Sequence, residues 1–237
     1  MEAMPFSLLD VPSVSESRVT SDFLATMPPN EAPAPWTVQA SAIVWWCKAT
    51  PAATEALPPA LRARGKAAVV IGGMVRYADT PVGVYDEVFG AIGLRVGRHL
   101  IGTIPFMSVD SPTSLVGGRG NWSIPKTLSN FTGAPADGDT FAATSATGQH
   151  WRVSAAPSVR LGVSLPVFSR MRVIQEFPDG SLRGTRLKAN GKMRYANLDV
   201  DVSSEGDLPS WLPSGRHKGA VLSSTRFTLG APTPFHP

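Results

Sequence analysis

The segment Gly117–Leu128, which reads GGRGNWSIPKTL, contains the lysine on which the interpretation of this chain rests. Lys126 follows Trp122, Ile124 and Pro125, and it is one of only six lysines in the sequence. An ammonium group carried into apolar surroundings loses hydration, so its pKa falls. A lysine that is neutral near pH 7 attacks carbonyl carbon and forms Schiff bases. Lys126 is therefore a candidate nucleophile; the plainer alternative is a side chain whose charge reaches water.

Composition excludes several classes of protein. The formal net charge is +4, but Lys and Arg never form a run longer than two residues, so no nucleic-acid partner is expected. The single cysteine, Cys47, excludes an internal disulfide framework and a cysteine-based metal site. The four histidines are isolated from one another, and no metal is predicted. Glycine-rich nucleotide-binding motifs and a G-x-S-x-G elbow are also missing.

The N-terminal sequence leads to an expectation about location. Glu2 and Asp10 come early and no Lys or Arg precedes Arg18, which is not the pattern of a signal peptide. No apolar run approaches the roughly 20 residues that a spanning helix needs. A cytoplasmic protein without a membrane partner is expected.

The pattern of short strands predicts the fold class. Residues 1–37 are rich in Pro, Ser and Ala and are predicted to form an extended arm that buries little. Residues 38–237 are predicted to form a single domain of many short strands separated by turns. The fold class is therefore mainly β (α+β), a large antiparallel sheet with one or two short helices.

Local signals add detail to this prediction. Gly72-Gly73 indicates a bulge within a strand. Pro178–Ser181 and Asn190-Gly191 indicate two hairpin turns. Pro125 predicts the start of a short helix over Lys126–Asn130, with Lys126 on its first turn. On the predicted strand 84–96, Tyr85 and Glu87 share one face.

From Tyr85 to Phe131 the chain resembles the acetoacetate decarboxylase family. That family carries Tyr-x-Glu, an apolar strand ending in Asp, Gly-Arg-Glu, and an aromatic-Pro-Lys-Lys motif. The matching residues here, in register, are Tyr85-x-Glu87, Phe106–Asp110, Gly118-Arg119-Gly120 and Ile124-Pro125-Lys126. A weaker similarity extends over about residues 38–230.

The resemblance implies a barrel-like antiparallel β domain with a central pocket, assembled into homo-oligomers. It implies that Lys126 is the Schiff-base lysine and that Glu87 is a nearby carboxylate. Acetoacetate decarboxylase is itself a known example of a lysine activated by desolvation or a cationic neighbour. The expected activity is a carbon–carbon lyase that decarboxylates a β-keto acid through an iminium at Lys126. No organic cofactor is implied, because the lysine supplies the electron sink.

Departures from the family pattern keep alternatives open. The second lysine is Thr127, the Glu of Gly-Arg-Glu is Gly120, and no arginine stands near Val38 or Gln39. An aldolase-, dehydratase- or cyclase-like enzyme acting on another carbonyl substrate is one alternative. The other is a non-catalytic binding protein in which Lys126 and Glu87 form a buried ion pair that keeps the lysine charged.

Further residues are candidates for substrate binding. Trp122 and Met107 are candidate pocket residues, although apolar residues of this kind more often pack in a core. Tyr85 is a candidate hydrogen-bond donor. Arg119 either binds a substrate carboxylate or braces the turn by bonding backbone carbonyls, and bracing is slightly favoured.

Overall fold

A computed structural model describes residues 6–97, 99–160 and 162–236 of the chain. Strands dominate it: β1 Trp36–Lys48, β2 Ala67–Asp79, β3 Tyr85–Val96, β4 His99–Val109, β5 Lys126–Thr132, β6 Phe141–Ser145, β7 Trp151–Val159, β8 Leu165–Glu176, β9 Leu182–Ser204, β10 Gly215–Leu229 and β11 Thr233–Pro234. The helices are short: α1 Ser21–Ala25, α2 Pro51–Glu55, α3 Pro59–Arg62, α4 Pro112–Trp122 and α5 Leu208–Trp211. Across the part of the chain described, no helix has the length and hydropathy needed to cross a membrane.

One large sheet organises the molecule. Its strands follow the order β10-β1-β2-β3-β4-β5-β6-β7-β9, and a further pairing of β9 with β10 closes the sheet on itself. Most pairings are antiparallel, but β5 and β8 each pair with β4 in parallel. The mainly β fold class with a few short helices is confirmed, and the sheet is mixed rather than wholly antiparallel.

Two buried apolar clusters lie against this sheet. The larger contains Trp45, Ile92, Phe106 and Trp211. The smaller is built from β1, β2, β3, β4 and helix α4, and its members include Val38, Tyr77, Tyr85, Met107, Leu115 and Trp122. Lys126 begins β5, directly beside β4, so the smaller cluster is the apolar surrounding of the candidate nucleophile.

The segment around Lys126 folds differently from its prediction. The helix precedes the lysine: α4 begins at Pro112, where the Ser111 side chain caps it by accepting a hydrogen bond from the Ser114 backbone N–H. It ends at Trp122, and the next residue, Ser123, adopts a left-handed conformation with φ of 54°. Lys126 is the first residue of β5, aligned with Met107 of β4. The predicted helix over Lys126–Asn130 is wrong because pairing with β4 overrides the local proline signal.

The two hairpin predictions had different outcomes. Pro178–Ser181 is a turn between β8 and β9, closed by the Phe177 N–H bonding the Ser181 carbonyl at 2.9 Å. Asn190-Gly191 is not a turn, because β9 runs through it without interruption. A side chain on Gly191 would collide with Thr225 of β10, so this glycine permits close strand approach.

The N-terminal segment buries more than predicted. It contains 3-10 turns at Leu8–Asp10 and Ser15–Ser17, followed by α1. Glu16 is buried, and its carboxylate accepts hydrogen bonds from the Ser204 hydroxyl at 2.7 Å and the Leu208 N–H at 2.8 Å. These contacts tie the segment to the end of β9. The boundary between an arm and a single domain remains a prediction.

Gly72 and Gly73 do not form the predicted bulge, since β2 pairs continuously with both neighbours at these positions. They make room for aromatic rings instead. A Cβ on Gly72 would collide with the Trp45 indole, and a Cβ on Gly73 would collide with the Phe89 ring.

We therefore expect Gly72→Ala to destabilise the protein by about 1–3 kcal/mol, because the buried Trp45 must shift to accept the methyl group. Gly102→Ala is the matched control: Gly102 lies on β4, and a Cβ there meets nothing within 4 Å. Urea unfolding of both variants measures the difference. Equal stability of the two variants would contradict the packing argument.

Candidate functional site

Strand register brings the candidate residues together. In the β2–β3 pair, Val75 aligns with Glu87 and Tyr77 with Tyr85. Because strand residues alternate between faces, Tyr85 and Glu87 both point into the smaller apolar cluster. Asp86 points the other way and bonds Arg76 at 2.7 Å. This part of the prediction from alternation agrees with the structure.

Lys126 and Glu87 form a buried ion pair. The Lys126 Nζ donates to Glu87 Oε2 at 2.9 Å and to Ser114 Oγ at 2.9 Å. It also lies 5.1 Å from the centroid of the Tyr85 ring, within range of a cation–π interaction. Lys126 is 4% exposed and Glu87 2%. The amino group is therefore held on three sides inside the protein.

Tyr77 holds the other oxygen of Glu87. Its hydroxyl donates to Glu87 Oε1 at 3.0 Å, and its ring stacks on Tyr85 with centroids 4.3 Å apart. Burial, reinforced by the Glu87 carboxylate, raises the pKa of Tyr77 well above its usual value. Tyr77 thus remains a hydrogen-bond donor throughout the physiological pH range.

The electrostatics of Lys126 differ from the sequence expectation. Burial is the strongest single influence and acts to lower the pKa of Lys126, but the adjacent Glu87 carboxylate and Tyr85 together outweigh burial, and the pKa is raised above its usual value of 10.5. The expectation of a lysine neutralised by burial is wrong for this state, since the counter-charge lies 2.9 Å away. The Lys126 amine therefore carries a positive charge until it gives a proton to an acceptor.

Glycine in α4 provides space for the Lys126 side chain. A Cβ on Gly118 would lie 2.5 Å from Cδ and 2.7 Å from Cε of Lys126. A Cβ on Gly117 would collide in the same way with Trp36. The helix can therefore approach both side chains closely only because these two residues are glycines.

Arg119 braces the backbone. Its Nε donates to the Lys126 carbonyl at 2.8 Å, Nη1 to the Leu8 carbonyl at 2.9 Å and Nη2 to the Ser17 carbonyl at 2.7 Å. Burial lowers its pKa to about 10, which leaves it charged at neutral pH. Of the two roles considered from sequence, the geometry favours bracing over substrate binding, because each of its three nitrogens already donates to a carbonyl.

Trp122 and Met107 lie in the apolar cluster near the lysine. The Trp122 Nε1–H donates to the Gly230 carbonyl at 2.7 Å, and its ring meets Trp36 edge to face. Met107 is buried on β4 in register with Lys126. Both positions suit packing, and a role of either residue in substrate contact remains a prediction.

Thr127, at the position of the family's second lysine, turns away from the site. It is the next residue along β5, and its hydroxyl donates to Ser108 at 2.9 Å. On a strand, consecutive side chains point to opposite faces. This face is therefore not the one that carries the Lys126 amino group.

Sequence reasoning missed two residues that touch the ion pair, Tyr77 and Ser114. Tyr77 becomes a neighbour of Glu87 through the β2–β3 register, and an explicit alignment of that hairpin would have suggested it. Ser114 belongs to helix α4, which was not predicted from the sequence. Among the described residues, no group of three or more His, Cys, Asp or Glu is placed to hold a metal ion.

Fold and site together define a mainly β protein built around a buried lysine–carboxylate pair. The family model described as acetoacetate decarboxylase (ADC) matches residues 23–154, more than half of the chain. The chain belongs to the acetoacetate decarboxylase family. No curated protein sequence matches it.

Solved structures show the same fold at low sequence identity. Acetoacetate decarboxylase from Legionella pneumophila is 15% identical with a TM-score of 0.61, covering 92% of this chain and 98% of its own. The enduracididine biosynthesis enzyme MppR complexed with pyruvate is 14% identical with a TM-score of 0.62, covering 86% and 91%. An acetoacetate decarboxylase-like enzyme from Sphingomonas wittichii RW1 is 17% identical with a TM-score of 0.59, covering 86% and 94%.

The buried ion pair predicts a non-additive pattern of stability. Lys126→Met leaves the Glu87 carboxylate buried without its counter-charge and should cost about 3–5 kcal/mol. Adding Glu87→Gln removes that charge, so the double variant should be more stable than Lys126→Met alone. The free energy of unfolding in urea measures this cycle. Simple addition of the two single effects would show that the pair does not couple.

The same pair predicts the protonation state of the lysine. In Glu87→Gln the attraction that raises the pKa of Lys126 is gone while burial remains, so the pKa should fall below 10.5. The amine then loses its charge at lower pH than in the wild type. Titration of the labelled lysine by NMR measures the shift. An unchanged pKa would mean that Glu87 does not set the charge of Lys126.

Proposed function

We propose that this protein is a Schiff-base carbon–carbon lyase in which Lys126 is the nucleophile and Glu87 carries its proton. The observation that supports this most directly is the 2.9 Å hydrogen bond from the Lys126 Nζ to Glu87 Oε2 inside an apolar cluster. A general base must lie within hydrogen-bond reach of the proton that it removes. Glu87 meets that condition.

The activation step is a proton transfer within the pair. The charged amine gives one proton to Glu87, and the free amine then attacks a carbonyl carbon. Transfer converts two buried charges into two neutral groups, so apolar surroundings favour it relative to water. Tyr77 keeps its bond to Oε1 and holds the carboxyl group in place while Oε2 accepts the proton.

Decarboxylation of a β-keto acid is the first candidate reaction. The iminium at Lys126 accepts the electron pair of the carbon–carbon bond as CO₂ leaves, which yields an enamine. The enamine is protonated at carbon, and hydrolysis returns Lys126. Family membership supports this reaction, as do apolar surroundings that withhold hydration from the substrate carboxylate.

Chemistry on another carbonyl substrate is the second candidate, and one observation favours it. Lys126 and Glu87 cancel each other's charge, while Tyr77, Tyr85 and Ser114, which lie against the pair, are neutral. Arg119 is held by backbone carbonyls. None of these residues therefore offers an unpaired positive charge to a substrate carboxylate. An aldolase-, dehydratase- or cyclase-like reaction on a carbonyl substrate that lacks a carboxylate fits this balance.

A non-catalytic binding protein is the third candidate. The ion pair is the arrangement that this alternative predicted, because a charged amine is not nucleophilic. The enzyme and the binding protein differ in one property: only the enzyme allows the proton to move and the amine to react.

Chemical trapping distinguishes these candidates. Incubation with acetoacetate or pyruvate plus borohydride should yield a mass adduct on Lys126, because borohydride reduces an imine to a stable amine. Lys126→Met should give no adduct while remaining folded. CO₂ release from acetoacetate then indicates decarboxylation, and an adduct without CO₂ indicates the second candidate.

Two outcomes would contradict the proposal. An adduct on a surface lysine such as Lys188, with Lys126 unmodified, would remove Lys126 from the role of nucleophile. No adduct from either compound would support the binding protein.

Assembly and location are also proposals. Homo-oligomers are proposed from the family resemblance, and exposed apolar side chains such as Phe168 (83% exposed) and Leu100 (75%) offer contact surface. A cytoplasmic location is proposed from the single cysteine, which suits a reducing compartment.

A further inference from the structure

Schiff-base formation needs a hydrogen-bond donor for the carbonyl oxygen, in addition to the groups that handle the proton of the amine. When Lys126 adds to a carbonyl, the oxygen first gains negative charge and later leaves as water. A donor aimed at the position where such charge develops is among the largest contributions that a site makes to a rate. The Lys126–Glu87 pair supplies the nucleophile and the proton carrier, and it leaves this donor to another residue.

The Ser114 hydroxyl is in contact with the amine that would react. Its Oγ is 2.9 Å from the Lys126 Nζ, and the residue is fully buried. The oxygen of the addition product is only two bonds from Nζ, so it forms within the reach of the same hydroxyl. In the resting state Ser114 accepts a hydrogen bond from the ammonium. After the amine has lost a proton and reacted, the hydroxyl can rotate and donate.

The position of Ser114 in its helix supports the same role. Ser114 lies in the first turn of α4, an 11-residue helix whose N-terminal end carries partial positive charge. Its own backbone N–H is occupied by the Ser111 side chain, which fixes the turn. The hydroxyl therefore projects from a rigid, electropositive helix end toward the reacting nitrogen. Negative charge on an oxygen at this position is stabilised by both features.

We propose that Ser114 is a catalytic residue of Schiff-base formation, whose hydroxyl donates to the oxygen of the carbinolamine as that oxygen leaves. This inference rests on the proposed function. Lys126 loses two protons, one through Glu87, and both depart with the carbonyl oxygen as water. The carbon–oxygen bond breaks, the carbon–nitrogen double bond forms, and Glu87 returns to its carboxylate. Ser114 ends with its hydroxyl unchanged.

The test compares Ser114→Ala with Ser108→Ala. Ser108 is also fully buried, and its hydroxyl binds the Thr127 hydroxyl, not the Lys126 amine. The rate of borohydride trapping with acetoacetate and with pyruvate should fall about 10²-fold or more in Ser114→Ala, the effect of losing one such donor. Ser108→Ala should trap at the wild-type rate.

A second readout separates chemistry from mere positioning of the amine. Cyanate carbamoylates the same amino group without expelling water, so its rate should be similar in Ser114→Ala and wild type. Ser114→Cys, which keeps the volume but has a weak donor, should show the same selective slowing and replaces the alanine variant if that variant does not fold.

The outcomes can be told apart. If the wild type gives no adduct, the proposed function fails. If the wild type is trapped and both Ser114 variants are trapped equally fast, the proposal for Ser114 is overturned while the Schiff-base function stands. If trapping and carbamoylation slow together, Ser114 only holds the amine, and its assignment as a donor to the oxygen is overturned.

Discussion

The buried ion pair between Lys126 and Glu87 is the interaction on which the rest of the site depends. Taking either charge out of water alone costs several kcal/mol, and only the partner charge, with further hydrogen bonds, compensates. The protein supplies those bonds from different elements: Tyr77 from β2 and Ser114 from α4. The pair thereby links the register of the β2–β3 hairpin to the position of α4. A shift in the β2–β3 register or in the position of α4 would leave a buried charge without one of its partners.

Helix α4 supports the ion pair mainly through packing and through hydrogen bonds to the backbone. Gly118 leaves the space that the Lys126 side chain fills. Arg119, on the same helix, binds the Lys126 carbonyl and two carbonyls of the N-terminal segment. The N-terminal segment is therefore connected directly to the strand that carries Lys126. The Gly-Gly-Arg motif is better understood as support for the lysine than as a substrate-binding element.

In the resting site the Lys126 amine keeps its proton and is in contact with the Glu87 carboxylate that can accept it. A lysine activated by burial alone would be neutral before substrate arrives. Here the Glu87 carboxylate raises the pKa of Lys126, so the amine is charged and the acceptor for its proton is already in contact. A neutral donor, Tyr77, fixes that acceptor where an arginine would add a positive charge. The charges of Lys126 and Glu87 therefore sum to zero.

The sequence by itself determined the fold class, the family and the two central residues. Alternation along β3 placed Tyr85 and Glu87 on one face, and the apolar neighbours of Lys126, together with the resemblance to the family, singled out Lys126. Such features are readable because they depend on neighbours a few residues apart. Only the tertiary structure decided that Lys126 begins a strand, that Asn190-Gly191 lies within β9, and that Tyr77 and Ser114 reach the pair. These outcomes depend on pairing between segments distant in sequence, and a buried charge takes its pKa from whichever partners that pairing brings within about 3 Å.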